Sequence, residues 1–95
     1  MNHAWESGIL CVCASGNSGR SDGCLFPASM DTALAVGSIG SNHVKSLFST
    51  GGNNLDVVAP GEQIYSTTID GKYESGNGSS GTSFSTPFVL SLIHI

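Results

Sequence analysis

Two nearly unbroken apolar runs constrain this chain more than anything else in it: Ile9-Leu10-Cys11-Val12-Cys13-Ala14 and Ala33-Leu34-Ala35-Val36-Gly37-Ser38-Ile39. A strand wetted on one side alternates polar and apolar residues, because successive side chains point to opposite faces. Runs without that alternation belong to strands covered on both faces, the habit of parallel sheets. Leu55-Asp56-Val57-Val58-Ala59 reads as a third short strand, stopped by Pro60-Gly61. Gln63 to Thr68 alternates in the β manner, and Tyr73 falls in a hairpin about Asp70-Gly71. His3 to Gly8 reads as the end of a helix with Gly8 as its stop. A closing helix starts near Thr82 and carries Phe84, Phe88, Val89, Leu90, Leu92 and Ile93. The predicted fold class is therefore α/β with a mostly parallel sheet. No internal repeat is present, which disfavours a Gly/Ser-rich β-solenoid.

Parallel strands need helical cover, yet only the closing helix is clear, so cover must come from sequence outside these 95 residues. Charge agrees. Charged residues make up 11% of the chain, against about 25% in an average soluble domain, as expected of a piece whose surface is largely interior in a larger domain. The cations are Arg20, Lys45 and Lys72 and the net charge is −4, which argues against a nucleic-acid partner. No apolar run approaches the roughly 20 residues that span a bilayer. Met1-Asn2-His3-Ala4 lacks the basic start and apolar stretch of a signal peptide.

Three cysteines, Cys11, Cys13 and Cys24, leave at least one thiol unpaired within the chain. Cys11 and Cys13 would share a strand face as small hydrophobes. A disulfide from Cys24 to either remains open. Their spacing is not that of a zinc ribbon, and no metal site is assigned.

Chemistry is expected where strands of such a sheet end. Ser15-Gly16-Asn17-Ser18-Gly19 follows the first strand and is rich in turn residues. Near the C-terminal end, Ser79-Ser80-Gly81-Thr82-Ser83-Phe84-Ser85-Thr86-Pro87 passes from a loop containing Gly76, Gly78 and Gly81 into the closing helix. Ser83 thus sits where unpaired backbone N–H groups and the helix dipole favour negative charge. A serine there can act as a nucleophile whose own N–H faces the oxyanion it creates. It can equally serve as a plain helix cap, the commoner use of such a residue. Pro87 disturbs the helix at the carbonyl four residues back, which is that of Ser83. Asn17 carries a side-chain amide able to donate to an oxyanion, although Gly-Asn alone is an ordinary turn. Asp56 is read as a structural carboxylate bonded to nearby N–H groups before a functional one.

The order of these blocks resembles one family. Gly81-Thr82-Ser83-Phe84-Ser85-Thr86-Pro87 is similar to the nucleophile segment of the subtilisin-like serine proteases, Gly-Thr-Ser-x-(Ala/Ser)-(Thr/Ser)-Pro. Position 85 is serine, so it is not the Gly-x-Ser-x-Gly elbow of α/β-hydrolases. Ala14-Ser15-Gly16-Asn17 looks like that family's oxyanion segment, and Phe26-Pro27-Ala28-Ser29, Phe48-Ser49-Thr50-Gly51 and the Asp56 block follow in its order. The likeness covers residues 8–89; residues 90–95 read as a tail foreign to the pattern.

What the resemblance implies is specific. The chain would be the C-terminal portion of a three-layer catalytic domain, its sheet incomplete here. Ser83 would be the nucleophile and Asn17 an oxyanion donor. Ser15, Gly16, Leu25 and Thr82 would bind substrate, Gly16 and its neighbours lining the pocket for the side chain before the cut bond and Leu25 reaching its floor. The substrate would be a polypeptide, and the remainder of the catalytic domain a necessary partner. No cofactor is implied; some members bind calcium, for which Asp56 and nearby carbonyls would make a weak oxygen site. Export is the family's usual fate.

The family's aspartate segment and His-Gly-Thr segment are not in this sequence, and His3, His43 and His94 have neither their surroundings nor an assigned role. An endopeptidase parent with an inactive isolated chain is the expectation. A relative that keeps the scaffold only for binding or structure is the rival.

Overall fold

The computed structural model describes residues 2–74 and 79–93. Helix α1 (Asn2–Glu6) leads into strands β1 (Cys11–Ala14), β2 (Ala33–Ile39) and β3 (Val57–Pro60), then the short strands β4 (Ser66–Thr67) and β5 (Tyr73–Glu74), and finally helix α2 (Thr82–Ile93). The first three strands form a parallel sheet in sequence order, β1-β2-β3. Cys11 registers with Ala33, and Val36 with Val57. Helix α2 packs across all three strands.

As the middle strand, β2 behaves as its sequence demands: Ala35, Val36, Gly37 and Ser38 are buried. The first apolar run does so only in part. Residues β1 takes from it are half-buried, while Ile9 and Leu10 precede the strand and are exposed. The expectation of burial on both faces fails here because α2 is the one helix packed on the sheet among the described residues, and it covers only part of its surface. Val57 and Val58 on β3 are exposed likewise, and the ladder of that strand, at the edge of the described sheet, runs to Pro60, one residue beyond the expected stop. A proline is tolerated at such an edge because its missing N–H is not needed by a further strand.

Local turns follow their residues. Gly8 ends the first helix at φ 79°, its N–H reaching the Trp5 carbonyl at 3.0 Å. Strands β4 and β5 pair antiparallel about Asp70-Gly71, and the Tyr65 and Tyr73 rings stack at 5.7 Å. Gly76, Gly78 and His94 lie outside the described residues.

The apolar core is small: Cys24, Ala28 and Ala35, with Cys13 and Leu55 against them. All three cysteines are free thiols. Burial pushes the Cys13 and Cys24 thiols up from their ordinary range, so they remain protonated and serve as packing groups, not nucleophiles. Asp56 is tied to β2, accepting the Ala35 N–H at 2.8 Å while its own N–H reaches the Ala35 carbonyl. This is the structural use expected of it.

Candidate active site

The C-terminal ends of β1 and β3 meet the N-terminus of α2. From β1 the chain runs into Ser15, Gly16 and Asn17; from β3 it runs into Gly61, whose carbonyl accepts the Gly81 N–H at 2.8 Å. Thr82 and Asn17, 65 positions apart in sequence, are joined twice. The Thr82 N–H and the Thr82 hydroxyl each donate to Asn17 Oδ1 at 2.9 Å, and the Gly16 N–H donates to Thr82 Oγ1 at 3.3 Å.

That clasp fixes which end of the Asn17 amide is which. An oxygen must receive the two Thr82 donors, so Nδ2 is turned the other way. It has no hydrogen-bond partner among the described residues. Asn17 Nδ2 and the Ser83 nitrogen lie around the same side of Gly81: a β-carbon there would stand 3.5 Å from the first, 3.9 Å from the second and 3.8 Å from Phe84 Cδ2. Gly81, at φ 156°, places no side chain among them. Both nitrogens thus lie near Gly81, beside an exposed serine at the positive end of a twelve-residue helix. Pro87 lies inside this helix and supplies no N–H to the Ser83 carbonyl, while the Thr86 hydroxyl takes up the Thr82 carbonyl at 2.9 Å.

Leu25 is placed by its backbone, its N–H donating to the Ser15 carbonyl at 2.9 Å. Its side chain covers Gly16, where a β-carbon would come within 2.6 Å of Leu25 Cδ1 and 2.9 Å of Thr50 Oγ1. Gly16 (φ 119°) is thus required by space as well as by conformation. Ser15 and Thr82 are wholly buried. The Thr82 hydroxyl joins the Gly16 N–H to Asn17, whereas the Ser15 hydroxyl has no hydrogen-bond partner among the described residues.

The structure also brings in residues that the sequence did not single out. Thr50 accepts the Ser18 N–H at 2.9 Å, meets the Ser18 hydroxyl at 2.7 Å, and donates its own N–H to the Gly16 carbonyl. It holds the Asn17 loop from behind. The Phe48-Ser49-Thr50-Gly51 block was legible, but no local signal marks Thr50 as that loop's anchor. His3 lies on α1 and His43 in a left-handed turn (φ 63°); neither hydrogen-bonds Ser83.

The class follows from the architecture: an α/β chain gathering a serine at a helix N-terminus and an asparagine amide at the ends of parallel strands. The chain belongs to the subtilase family (peptidase S8), whose profile matches residues 1–92. That match extends beyond residues 8–89 at both ends. An alkaline proteinase of Hapsidospora chrysogena is 42% identical over 93 residues, covering 98% of this chain and 23% of the relative. Thermitase of Thermoactinomyces vulgaris is 45% identical over 89 residues, covering 94% of this chain and 30% of thermitase. Among solved structures, the self-cleaved protease domain of PatA superposes with a TM-score of 0.85 at 33% identity, over 96% of this chain and 34% of that domain. The chain thus spans about a quarter to a third of the relatives it matches. Among the described residues, no helix is long and apolar enough to cross a membrane.

Proposed function

We propose that this chain is the C-terminal portion of the catalytic domain of a serine endopeptidase, with Ser83 as nucleophile and Asn17 as oxyanion donor. The observation that carries the reading is the clasp at Asn17. It commits Oδ1 to Thr82 and leaves Nδ2 without a partner on the side of Gly81 where the Ser83 nitrogen also lies. A free-swinging carboxamide would lose entropy on each turnover, whereas one already held is preorganised, and preorganisation is what gives an oxyanion hole its strength.

In this mechanism Ser83 Oγ attacks the peptide carbonyl carbon, and the carbonyl oxygen takes the negative charge between Asn17 Nδ2 and the Ser83 N–H. The hydroxyl proton passes to a base and then to the leaving amine. Water afterwards cleaves the acyl-serine ester and restores the hydroxyl. The base and its orienting acid, by family resemblance a histidine and an aspartate, come from the rest of the catalytic domain. The isolated chain is accordingly inactive.

Fluorophosphonate labelling of the intact protein is the test. Stoichiometric labelling that disappears in Ser83→Ala is expected. A folded parent that fails to label would instead favour a scaffold retained for binding.

Gly16 and Leu25 line the pocket for the side chain before the cut bond, with Ser15 and Thr82 holding them in place. Leu25 lies across the face of Gly16, where its side chain takes up space a bulky substrate group would use. Leu25→Gly should move kcat/KM toward phenylalanine over alanine at that position by about tenfold or more, since a few methylenes of pocket space are worth that much. An unchanged preference on matched peptides removes Leu25 from the pocket.

A further inference from the structure

The loop that carries Asn17 is gripped on both sides of that residue by one threonine. The Thr50 N–H donates to the Gly16 carbonyl at 2.9 Å, and Thr50 Oγ1 accepts the Ser18 N–H at 2.9 Å. The Ser18 and Thr50 hydroxyls meet at 2.7 Å. Asn17 is the residue between these two held positions. Thr50 Oγ1 also stands 2.9 Å from the place a β-carbon on Gly16 would take, so the loop rests directly against it. Thr50 is wholly buried, and water does not compete for its hydroxyl.

Thr50 is itself fixed to the sheet. Ser49, the residue before it, is buried, and its hydroxyl accepts the Ser38 N–H of β2 at 2.9 Å. The Ser49 N–H reaches the Ser46 carbonyl at 3.0 Å, and the Ser46 N–H donates to the Ser38 carbonyl at 2.9 Å. Two further bonds tie the same segments together: the Gly19 N–H to the Phe48 carbonyl at 2.8 Å, and the Gly51 N–H to the Arg20 carbonyl at 2.9 Å. From β2 to the backbone on either side of Asn17, every link is a covalent bond or a hydrogen bond.

A carboxamide turns about two side-chain bonds, so its nitrogen has one fixed place only when its backbone and its outer end are both held. Thr82 holds the outer end through Oδ1. We infer that Thr50 is a positioning residue for the oxyanion donor, holding the Asn17 backbone so that the Thr82 clasp leaves Nδ2 in a single place. Without the Thr50 hydroxyl the Ser18 N–H loses its acceptor, and the loop is free to shift about the clasp. Such a shift weakens a bond to charge that exists only in the transition state, so it lowers kcat and spares ground-state binding. The inference rests on the protease reading above.

The test is a double-mutant cycle on the intact protease, with active sites counted by fluorophosphonate labelling taken to completion so that kcat refers to folded, labelled enzyme. Thr50→Val keeps the backbone bond to Gly16 and the side-chain shape but removes the hydroxyl. It should lower kcat about tenfold with KM within about twofold, below the roughly 10²-fold that about 1 Å of misplacement costs, because the Thr82 clasp remains. Thr50→Ser, which restores the hydroxyl, should recover most of the loss. Thr50→Ala adds no bulk beside Gly16 and should show the same division between kcat and KM; it replaces the valine variant throughout if that one does not fold. In an Asn17→Ala background, where no amide remains to be placed, the Thr50→Val step should lower kcat by less than about twofold. Equal losses in both backgrounds, or a fall in melting temperature with kcat per labelled site unchanged, overturn the proposal and leave the protease reading intact. Absence of labelling in the unmodified enzyme overturns that reading and this one with it.

Discussion

Gly61→Ala in the intact protease is expected to lower its melting temperature by about 5–10 °C or more, an overpacking cost of about 1–3 kcal/mol or above. The cause is space, not backbone conformation, since Gly61 is not among the positive-φ glycines. A β-carbon would overlap the Ser85 and Ser38 hydroxyls and lie 2.8 Å from the Gly81 carbonyl oxygen. The hydroxyls could rotate; the carbonyl could not. Gly81 is held by its own N–H to the Gly61 carbonyl, and Gly61 by its N–H to Ile39 at 3.1 Å. The added methyl must therefore push α2 away from the strand ends. Gly51→Ala is the control, because its β-carbon would meet nothing nearer than Lys45 Cε at 3.7 Å. Equal melting temperatures for the two variants would mean that the notch at Gly61 is not tightly closed.

Asn17→Ala should lower kcat by about 10²–10³ with little change in KM, the usual cost of an oxyanion donor and a figure that itself comes from a subtilisin asparagine. Alanine also removes the acceptor for both Thr82 donors, each bond being worth about 1 kcal/mol. Asn17→Asp separates the two roles. It keeps an acceptor for Thr82 but has no Nδ2 donor, and places negative charge where an oxyanion must form. It should melt close to the unmodified enzyme yet be impaired at least as severely. Retained kcat in the aspartate variant would assign Asn17 to the clasp alone.

Much of this arrangement was legible in the sequence because it is carried by local patterns. The apolar run of β2, the Asp70-Gly71 turn and the passage from Gly81 into α2 each reflect neighbouring residues, and the structure follows them. What could not be read was set by distance along the chain. The exposure of Ile9, Val57 and Val58 depends on what packs against each part of the sheet, not on their hydrophobicity. Thr50 behind the Asn17 loop is an ordinary surface-type residue until the fold brings the two together. Ser15 was legible as part of the oxyanion loop, but not that its side chain turns inward and its carbonyl carries Leu25. Family resemblance supplied Ser83 and Asn17 as a pair; geometry adds how the amide between them is held.

The bond from Thr82 to Asn17 closes a circuit across 65 positions, and strands β2 to β5 lie within it while β1 leads directly into it. On the proposed reading, a newly made polypeptide carries no cutting power, because its two oxyanion donors are strangers until the sheet is assembled. Maturity of the fold is thus the switch, and a half-made copy is harmless to its neighbours.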